Sequence, residues 1–318
     1  METRVTIPTL HVVADNIPQA HYRALKAVYE NGLKMRTQYD KVNPDGSYMD
    51  PPTIRAKVLI EVANPFNQPR YSGMSYSERG KYIAEIMGVK DHLVLPYETL
   101  VEQLKKGKLQ ATEWPYSYHQ RLFTYPIEGG KTIDQMDLAL ERLKDSSINR
   151  RAVASTSVPA VDALLKDDMP CLREIHLECT EHEGISYLHM DAKWRSRDLP
   201  KAWGDNVVGL TFMQQVLAKD LEKRIGREVR VGSYSDYSSN LHIYGQDITG
   251  AGKGALAFIE LGEEKAVARA KDSQFAAENI VIPELENLMT EETWRFGEKQ
   301  LNQIKGMIAD IESGRLLA

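Results

Sequence analysis

Only two of the 318 residues are cysteine, Cys171 and Cys179, too few for a disulfide framework and in keeping with a reducing compartment. No apolar run approaches the roughly 18 residues that a membrane-spanning helix needs, and no secretory signal is recognisable. The expectation is a cytoplasmic protein with no membrane partner. An excess of basic residues is also missing: 40 Lys and Arg stand against 45 Asp and Glu, for a net charge of -5. Affinity for nucleic acid comes mainly from clustered cations on phosphates, so no nucleic-acid partner is expected, and local basic clusters read as small-ligand sites. Neither a fixed-period repeat nor a low-complexity tract marks a solenoid or a long linker. What is present, 42% hydrophobic and 27% charged residues, describes a soluble globular chain long enough for a full core.

Periodicity then divides the chain. Residues 18–35 read as an amphipathic helix through Tyr22, Leu25, Val28 and Tyr29, with Gly32 near its end. Lys57 to Val62 reads as a strand after the turn-rich segment that closes on Pro51-Pro52, and residues 77–88 and 132–144 read as helices. Arg151 to Ser157 reads as a strand, and Glu174 to Cys179 with Ser186 to Lys193 as a hairpin across Glu181 to Gly184. The strongest helical pattern is 207–225, where Leu210, Met213, Leu217, Leu221 and Ile225 follow three- and four-residue steps and Gly226 supplies a stop. That stripe is core. Residues 251–318 read as a mostly helical cover on a single domain spanning 1–318.

Chemistry concentrates in two short runs. The string MPCLREIHL sets Cys171 directly after a proline at the mouth of a strand, where a thiolate can act as a nucleophile. Some two dozen residues later AKWRSRD brings Arg195, Ser196, Arg197 and Asp198 together, and a guanidinium there can bind phosphate. The pairing suggests chemistry on a nucleotide. Taken alone it is weak, because a cysteine in such a chain is most often a small buried hydrophobe and an arginine a solvated surface charge.

With YSYHQRL at 116–122, Arg150-Arg151 in DSSINRRAV, MPC at 169–171, RSRD at 195–198, Asn206 and HIY at 242–244 in this order, the chain resembles the thymidylate synthase superfamily, which includes pyrimidine nucleotide hydroxymethylases. The likeness is good over roughly 110–250 and looser in the N-terminal third. It implies an α/β fold with a mixed, mainly antiparallel sheet flanked by helices. It also implies a homodimer packed sheet face to sheet face with shared active sites.

In that family a thiolate adds to carbon 6 of a pyrimidine nucleoside monophosphate, which makes carbon 5 nucleophilic toward a one-carbon unit. The resemblance gives that role to Cys171, with Arg195 near the sulfur and on the phosphate. It gives Arg150 and Arg151 to the neighbouring subunit's phosphate site and Ser196 a further phosphate contact. Arg55, just ahead of the strand AKVLIEV, is the candidate for a further phosphate arginine from a mobile N-terminal loop, with Arg70 in NQPRYSG as its rival. Asn206 would read the base, since an amide matches the carbonyl and ring NH of uracil, whereas a one-residue shift in a loop would present Asp205 and favour cytosine. His242 and Tyr244 resemble the pair on the sugar 3′ hydroxyl. Tyr118 resembles the tyrosine that helps remove the carbon 5 proton. Glu85, with Glu78 as rival, is the candidate carboxylate that organises water at the base.

Asp198 resembles the carboxylate on the pterin of a folate, so 5,10-methylenetetrahydrofolate is the implied one-carbon donor, with Trp114 the only tryptophan near the tyrosine motif. No metal ion is called for. His119 replaces the glycine usual after that tyrosine, and the terminal GRLLA differs from the apolar terminus that closes over folate. Water exclusion selects methylation and an ordered water selects hydroxymethylation, so these changes favour hydroxymethylation of dUMP. Thymidylate synthase and a dCMP or CMP hydroxymethylase are the enzymatic alternatives. A silent nucleotide-binding regulatory paralogue is the non-enzyme alternative, against which intact Cys171, Arg195, Tyr118 and Asn206 weigh. A cysteine hydrolase would need a histidine oriented onto the sulfur, and none is implied beside Cys171.

Overall fold

The computed structural model describes residues 6–74, 78–110, 113–166, 169–291 and 296–318. Ser77, Ala111, Thr112 and residues 292–295, which the sequence reading placed in a helix, in the tryptophan segment and in the C-terminal cover, lie outside the described residues. The strands are β1 Thr9–Ala14, β2 Leu33–Met35, β3 Thr53–Val62, β4 Tyr125–Ile127, β5 Lys131–Ile133, β6 Val153–Ser155, β7 Leu172–His182, β8 Ile185–Trp194, β9 Arg197–Asp198 and β10 Val229–Ile243. The fold is mixed α/β, its sheet mixed and mostly antiparallel, with flanking helices. The chain forms two compact units. The first holds residues 1–77, 194–207 and 233–276, and the second holds 78–193, 208–232 and 277–318.

In the first unit β3 is the centre: β1 pairs with it in parallel, and β2 and β10 in antiparallel fashion. Its alternation TIRAKVLIEV buries Ile54, Ala56, Val58, Ile60 and Val62, the period-two pattern of a half-buried strand. The strand begins at Thr53, four residues earlier than the pattern predicts, so Arg55 lies inside it and not on the expected mobile loop, opposite Leu33 and His242. The first helix is Ile17–Asn31, capped by the Asn16 side chain accepting from the Gln19 N–H at 3.1 Å. It stops before residue 35 because Gly32 turns extended and releases Leu33–Met35 to pair with β3. A Cβ on Gly32 would lie 2.5 Å from the Val28 carbonyl oxygen and 2.6 Å from Ile54, so only glycine fits between helix and strand.

In the second unit β7 and β8 form the expected hairpin, turned by Glu183 and Gly184 at φ 51° and 80°, the left-handed pair that suits the twist of two strands. β6 pairs antiparallel with β7, setting Val153 opposite His176, and is shorter than the predicted 151–157. The helix predicted at 132–144 is Gln135–Asp145, because Lys131–Ile133 pairs with β4 and Asp134 then caps the helix on the Asp137 N–H at 2.8 Å. The helix predicted at 77–88 is Arg79–Ile86.

The long helix is Ala202–Ile225. It starts five residues ahead of the predicted 207, and its first turn, in the first unit, is anchored by fully buried Trp203, whose Nε1–H donates to Asp236 Oδ2 at 3.1 Å. Leu210, Met213, Leu217 and Leu221 are buried as the stripe predicted. After residue 251 the described segments include helices Ala255–Glu260, Glu263–Ala268, Ile282–Glu291 and Glu298–Glu312. No described helix is long and apolar enough to cross a membrane.

Candidate active site

The second unit assembles the thiol and the phenol. Cys171 follows Pro170 at the entry to β7 and is half-buried. Tyr118 opens the helix Tyr118–Phe123, which Ser117 caps by accepting from the Gln120 N–H at 2.9 Å. The Tyr118 hydroxyl oxygen accepts from the Cys171 N–H at 3.2 Å and the Leu172 N–H at 3.3 Å. Two residues 53 positions apart are thereby held together through the backbone of Cys171. Asp91, which sequence reasoning missed, grips both neighbours of the tyrosine: the Ser117 hydroxyl and His119 Nδ1, the latter at 2.6 Å. The His119 ring also stacks on Phe123 with centroids 4.2 Å apart. His119 is therefore locked to its surroundings through one nitrogen and one ring face.

Glu85 lies near the end of the helix Arg79–Ile86 and pairs with Lys90 at 3.9 Å, and Lys90 also sits 5.4 Å from the centroid of the Trp114 ring. One cation thus touches both a candidate carboxylate and a candidate folate contact. The rival Glu78 is 74% exposed in its side chain and pairs with Lys81, which leaves Glu85 the more enclosed of the two. Arg150 and Arg151 are exposed in the connection before β6. The Arg151 N–H donates to Asn149 Oδ1 at 2.9 Å and its carbonyl accepts from Arg142 at 2.7 Å, so the backbone of this turn is held while both guanidinium groups face outward.

The first unit carries the RSRD run. Arg197 and Asp198 pair with Leu241 and His242, and the Leu199 N–H donates to the His242 carbonyl at 2.8 Å. The alternation of β9 turns Arg197 inward: its side chain is 1% exposed, ion-paired with Asp236, and lies 4.4 Å from the Trp194 ring centroid. Burial raises the Asp236 carboxyl and the Arg197 charge opposes that rise. Arg195 and Ser196 stay half-buried. Asp198 is also half-buried, with Oδ1 accepting from the Lys201 N–H at 3.1 Å. Burial lifts its pKa to about 6.

His242 is buried, and its Nδ1–H donates to the Asn240 carbonyl at 3.2 Å, which leaves the lone pair on Nε2. Among the described residues Nε2 has no partner. Burial pushes the ring down to about 4, and the nearby Arg55 charge adds to that shift, so at neutral pH Nε2 is a buried acceptor. Tyr244 packs edge-on against His242 at 4.5 Å and against Tyr39 at 5.9 Å, beside a cleft of about 250 Å3 lined also by Asp40, Asp50 and Gln246.

Arg55 is half-buried next to His242 across the β3–β10 register. Arg70 is fully buried, 4.2 Å from the Phe66 ring centroid, and donates to the Pro65 carbonyl at 3.3 Å. Asn206 and Asp205 stand on the helix Ala202–Ile225, not in a loop. Successive helical side chains are turned about 100° apart, so the pair cannot exchange places by a one-residue slip. Asn206 is buried and Asp205 half-buried.

The His242 and Asp198 shifts make opposite demands on stability. Between pH 6.5 and about 4 an unfolded chain protonates His242 while the folded chain does not, so this group removes stability as pH falls, by about 3 kcal/mol in all. Asp198 takes up its proton in the folded chain near pH 6, ahead of its unfolded value of 3.8, and adds stability as pH falls. Urea midpoints for His242→Gln should therefore improve relative to wild type on going from pH 7.5 to about 4.5, and those for Asp198→Asn should worsen. Parallel pH profiles for all three proteins would disprove both assignments.

Residues 101–311 match the thymidylate synthase family model. A protein of Methanocaldococcus jannaschii named "putative thymidylate synthase" is 32% identical over 153 residues, 46% of this chain and 64% of that protein, so the match spans just under two thirds of that relative. A protein of Methanosarcina mazei with the same name is 24% identical over 247 residues, 78% of this chain and 94% of that protein. The structure of thermostable thymidylate synthase A from Bacillus subtilis superposes with a TM-score of 0.54 at 18% identity, covering 78% of this chain and 84% of that chain, and shares its fold.

Proposed function

The chain belongs to the thymidylate synthase family, and from that premise we propose that it transfers a one-carbon unit to carbon 5 of a pyrimidine deoxynucleoside monophosphate through a covalent adduct on Cys171. The observation that carries the proposal is the Tyr118 hydroxyl oxygen held by the Cys171 and Leu172 amides. Those contacts set a proton-transfer group beside the nucleophile, which is the geometry that addition at carbon 6 and proton loss at carbon 5 require. Arg195, Ser196, Arg55 and the pair Arg150-Arg151 take the phosphate, the latter two from a partner subunit in a homodimer. His242 accepts from the sugar hydroxyl through Nε2, with Tyr244 beside it. Glu85 serves the water at the base, and Asn206 reads uracil.

5,10-Methylenetetrahydrofolate would supply the carbon. Asp198, half-buried with its pKa raised to about 6 and still mostly ionised at pH 7, suits the N–H donors of a pterin, and the Trp114 indole offers an aromatic surface. The product we favour is the hydroxymethyl nucleotide, because His119, the residue after Tyr118 in the chain, is a polar side chain suited to ordering a water; reductive methylation is the alternative reading. Incubation with methylenetetrahydrofolate and each of dUMP, dCMP, UMP and CMP, followed by mass spectrometry of the nucleotides, tests this. A dUMP product heavier by a hydroxymethyl group is expected. No one-carbon adduct on any of the four would end the proposal.

Two further results follow from these roles. Purified Arg150→Ala and Cys171→Ser homodimers, each inactive, should regain activity after subunit exchange, since one site of the mixed dimer has both groups. Proven exchange without activity would remove the shared-site claim. Asn206→Asp should lower the dUMP to dCMP ratio of kcat/KM by at least about tenfold, because an unpaired polar edge costs on the order of 1–3 kcal/mol. An unchanged ratio would show that Asn206 does not read the base.

A further inference from the structure

We propose that Asp162 is a positioning residue that sets the distance between Tyr118 and the Cys171 backbone, an inference that rests on Cys171 and Tyr118 acting as proposed above. The Asp162 side chain is 1% exposed. Its Oδ1 accepts from Arg121 Nη2 at 3.1 Å, and its Oδ2 accepts from Arg173 Nη1 at 3.2 Å and from the Val158 N–H at 3.1 Å. The two arginines belong to the two elements that carry the chemistry. Arg121 is three residues beyond Tyr118 on the same short helix, and Arg173 is two residues beyond Cys171 on β7.

Arg173 Nη1 also donates to the carbonyl of Pro170, the residue before Cys171, at 3.3 Å. Arg121 Nη1 reaches the Thr156 carbonyl at 3.3 Å, while the Thr156 hydroxyl donates to the Leu172 carbonyl and its N–H to the Arg173 carbonyl. One carboxylate therefore joins the tyrosine helix to both sides of the nucleophile's peptide. A buried carboxylate between two guanidinium groups has no solvent to relax into and tolerates little displacement. Its loss would loosen the 3.2 and 3.3 Å contacts at the Tyr118 oxygen, and misplacement by about 1 Å costs on the order of a hundredfold in rate. Asp162 itself touches no reacting atom.

The test compares wild type, Asp162→Asn, Arg173→Met and the double variant in dUMP turnover and in iodoacetamide labelling of each cysteine, located by peptide mass spectrometry. Cys179, buried on the same strand, is the internal control for loosening of the fold. In Asp162→Asn kcat should fall by at least about tenfold with KM within about threefold, and Cys171 labelling should rise by about threefold or more with Cys179 unchanged. Arg173→Met should reproduce this pattern, and the double variant should be no worse than about twofold beyond Asp162→Asn, because both changes cut one linkage. Should Asp162→Asn fail to fold, Arg173→Met, with a side chain 25% exposed, decides on the same readings. Unchanged kcat and Cys171 labelling would overturn the proposal, as would a parallel rise at both cysteines, which marks a purely structural carboxylate. A wild-type protein inactive on every pyrimidine nucleotide would end the proposed function, while the Cys171 to Cys179 labelling ratio would still decide whether Asp162 holds the nucleophile.

Discussion

Cys171→Ser should lose at least about four orders of magnitude in turnover of dUMP while keeping its nucleotide affinity within about threefold. A serine hydroxyl is not deprotonated at neutral pH without an adjacent base, and the groups that hold the Tyr118 oxygen beside residue 171 are the N–H donors of residues 171 and 172. Those donors are backbone, so the substitution leaves them and the position of Tyr118 in place. Equilibrium binding of dUMP and single-turnover mass spectrometry separate the two effects. Residual turnover within about a hundredfold of wild type would show that the reaction does not pass through a Cys171 adduct.

Asp236→Ala should cost about 3–5 kcal/mol of stability, the usual consequence of removing one partner of a buried ion pair and leaving the other charge uncompensated. Both side chains are essentially inaccessible, at 1% for Arg197 and 0% for Asp236. The same carboxylate accepts from the Trp203 indole at 3.1 Å, so its removal also strands the anchor of the long helix. Because Arg197 sits between Ser196 and Asp198, the loss should spread to the candidate phosphate and folate residues. Urea unfolding measures the first effect, and a loss below about 1 kcal/mol would mean that Arg197 finds another partner. Asp236→Asn, which keeps an acceptor for the indole, should fall between Ala and wild type.

Short-range order was written in the sequence wherever a local device enforces it. The β7–β8 hairpin is set by Glu183 and Gly184, whose left-handed backbone fits a two-residue turn. The long helix is announced by its apolar stripe from Leu210 to Leu221, and the start of β7 one residue after Cys171 by the run LREIHL. The family motifs supplied the candidate roles of Cys171, Tyr118, Arg195 and Asn206, because a reaction of the proposed kind calls for those residue types. Element ends were less legible. Whether the first helix stops at Asn31 depends on Gly32 meeting Ile54, and the start of the long helix depends on Trp203 reaching Asp236; both partners lie far along the chain.

The tertiary structure alone decided which polar groups share a partner. Tyr118 meets the Cys171 amide across 53 residues, Arg55 meets His242 across the β3–β10 register, and Asp162 joins two arginines that no motif connects. A sequence specifies such long-range pairs only through the sum of its packing. A buried aspartate or arginine therefore looks, in one dimension, like any charge on a solvated face, until the folded core removes its water and leaves one hydrogen-bonding arrangement open.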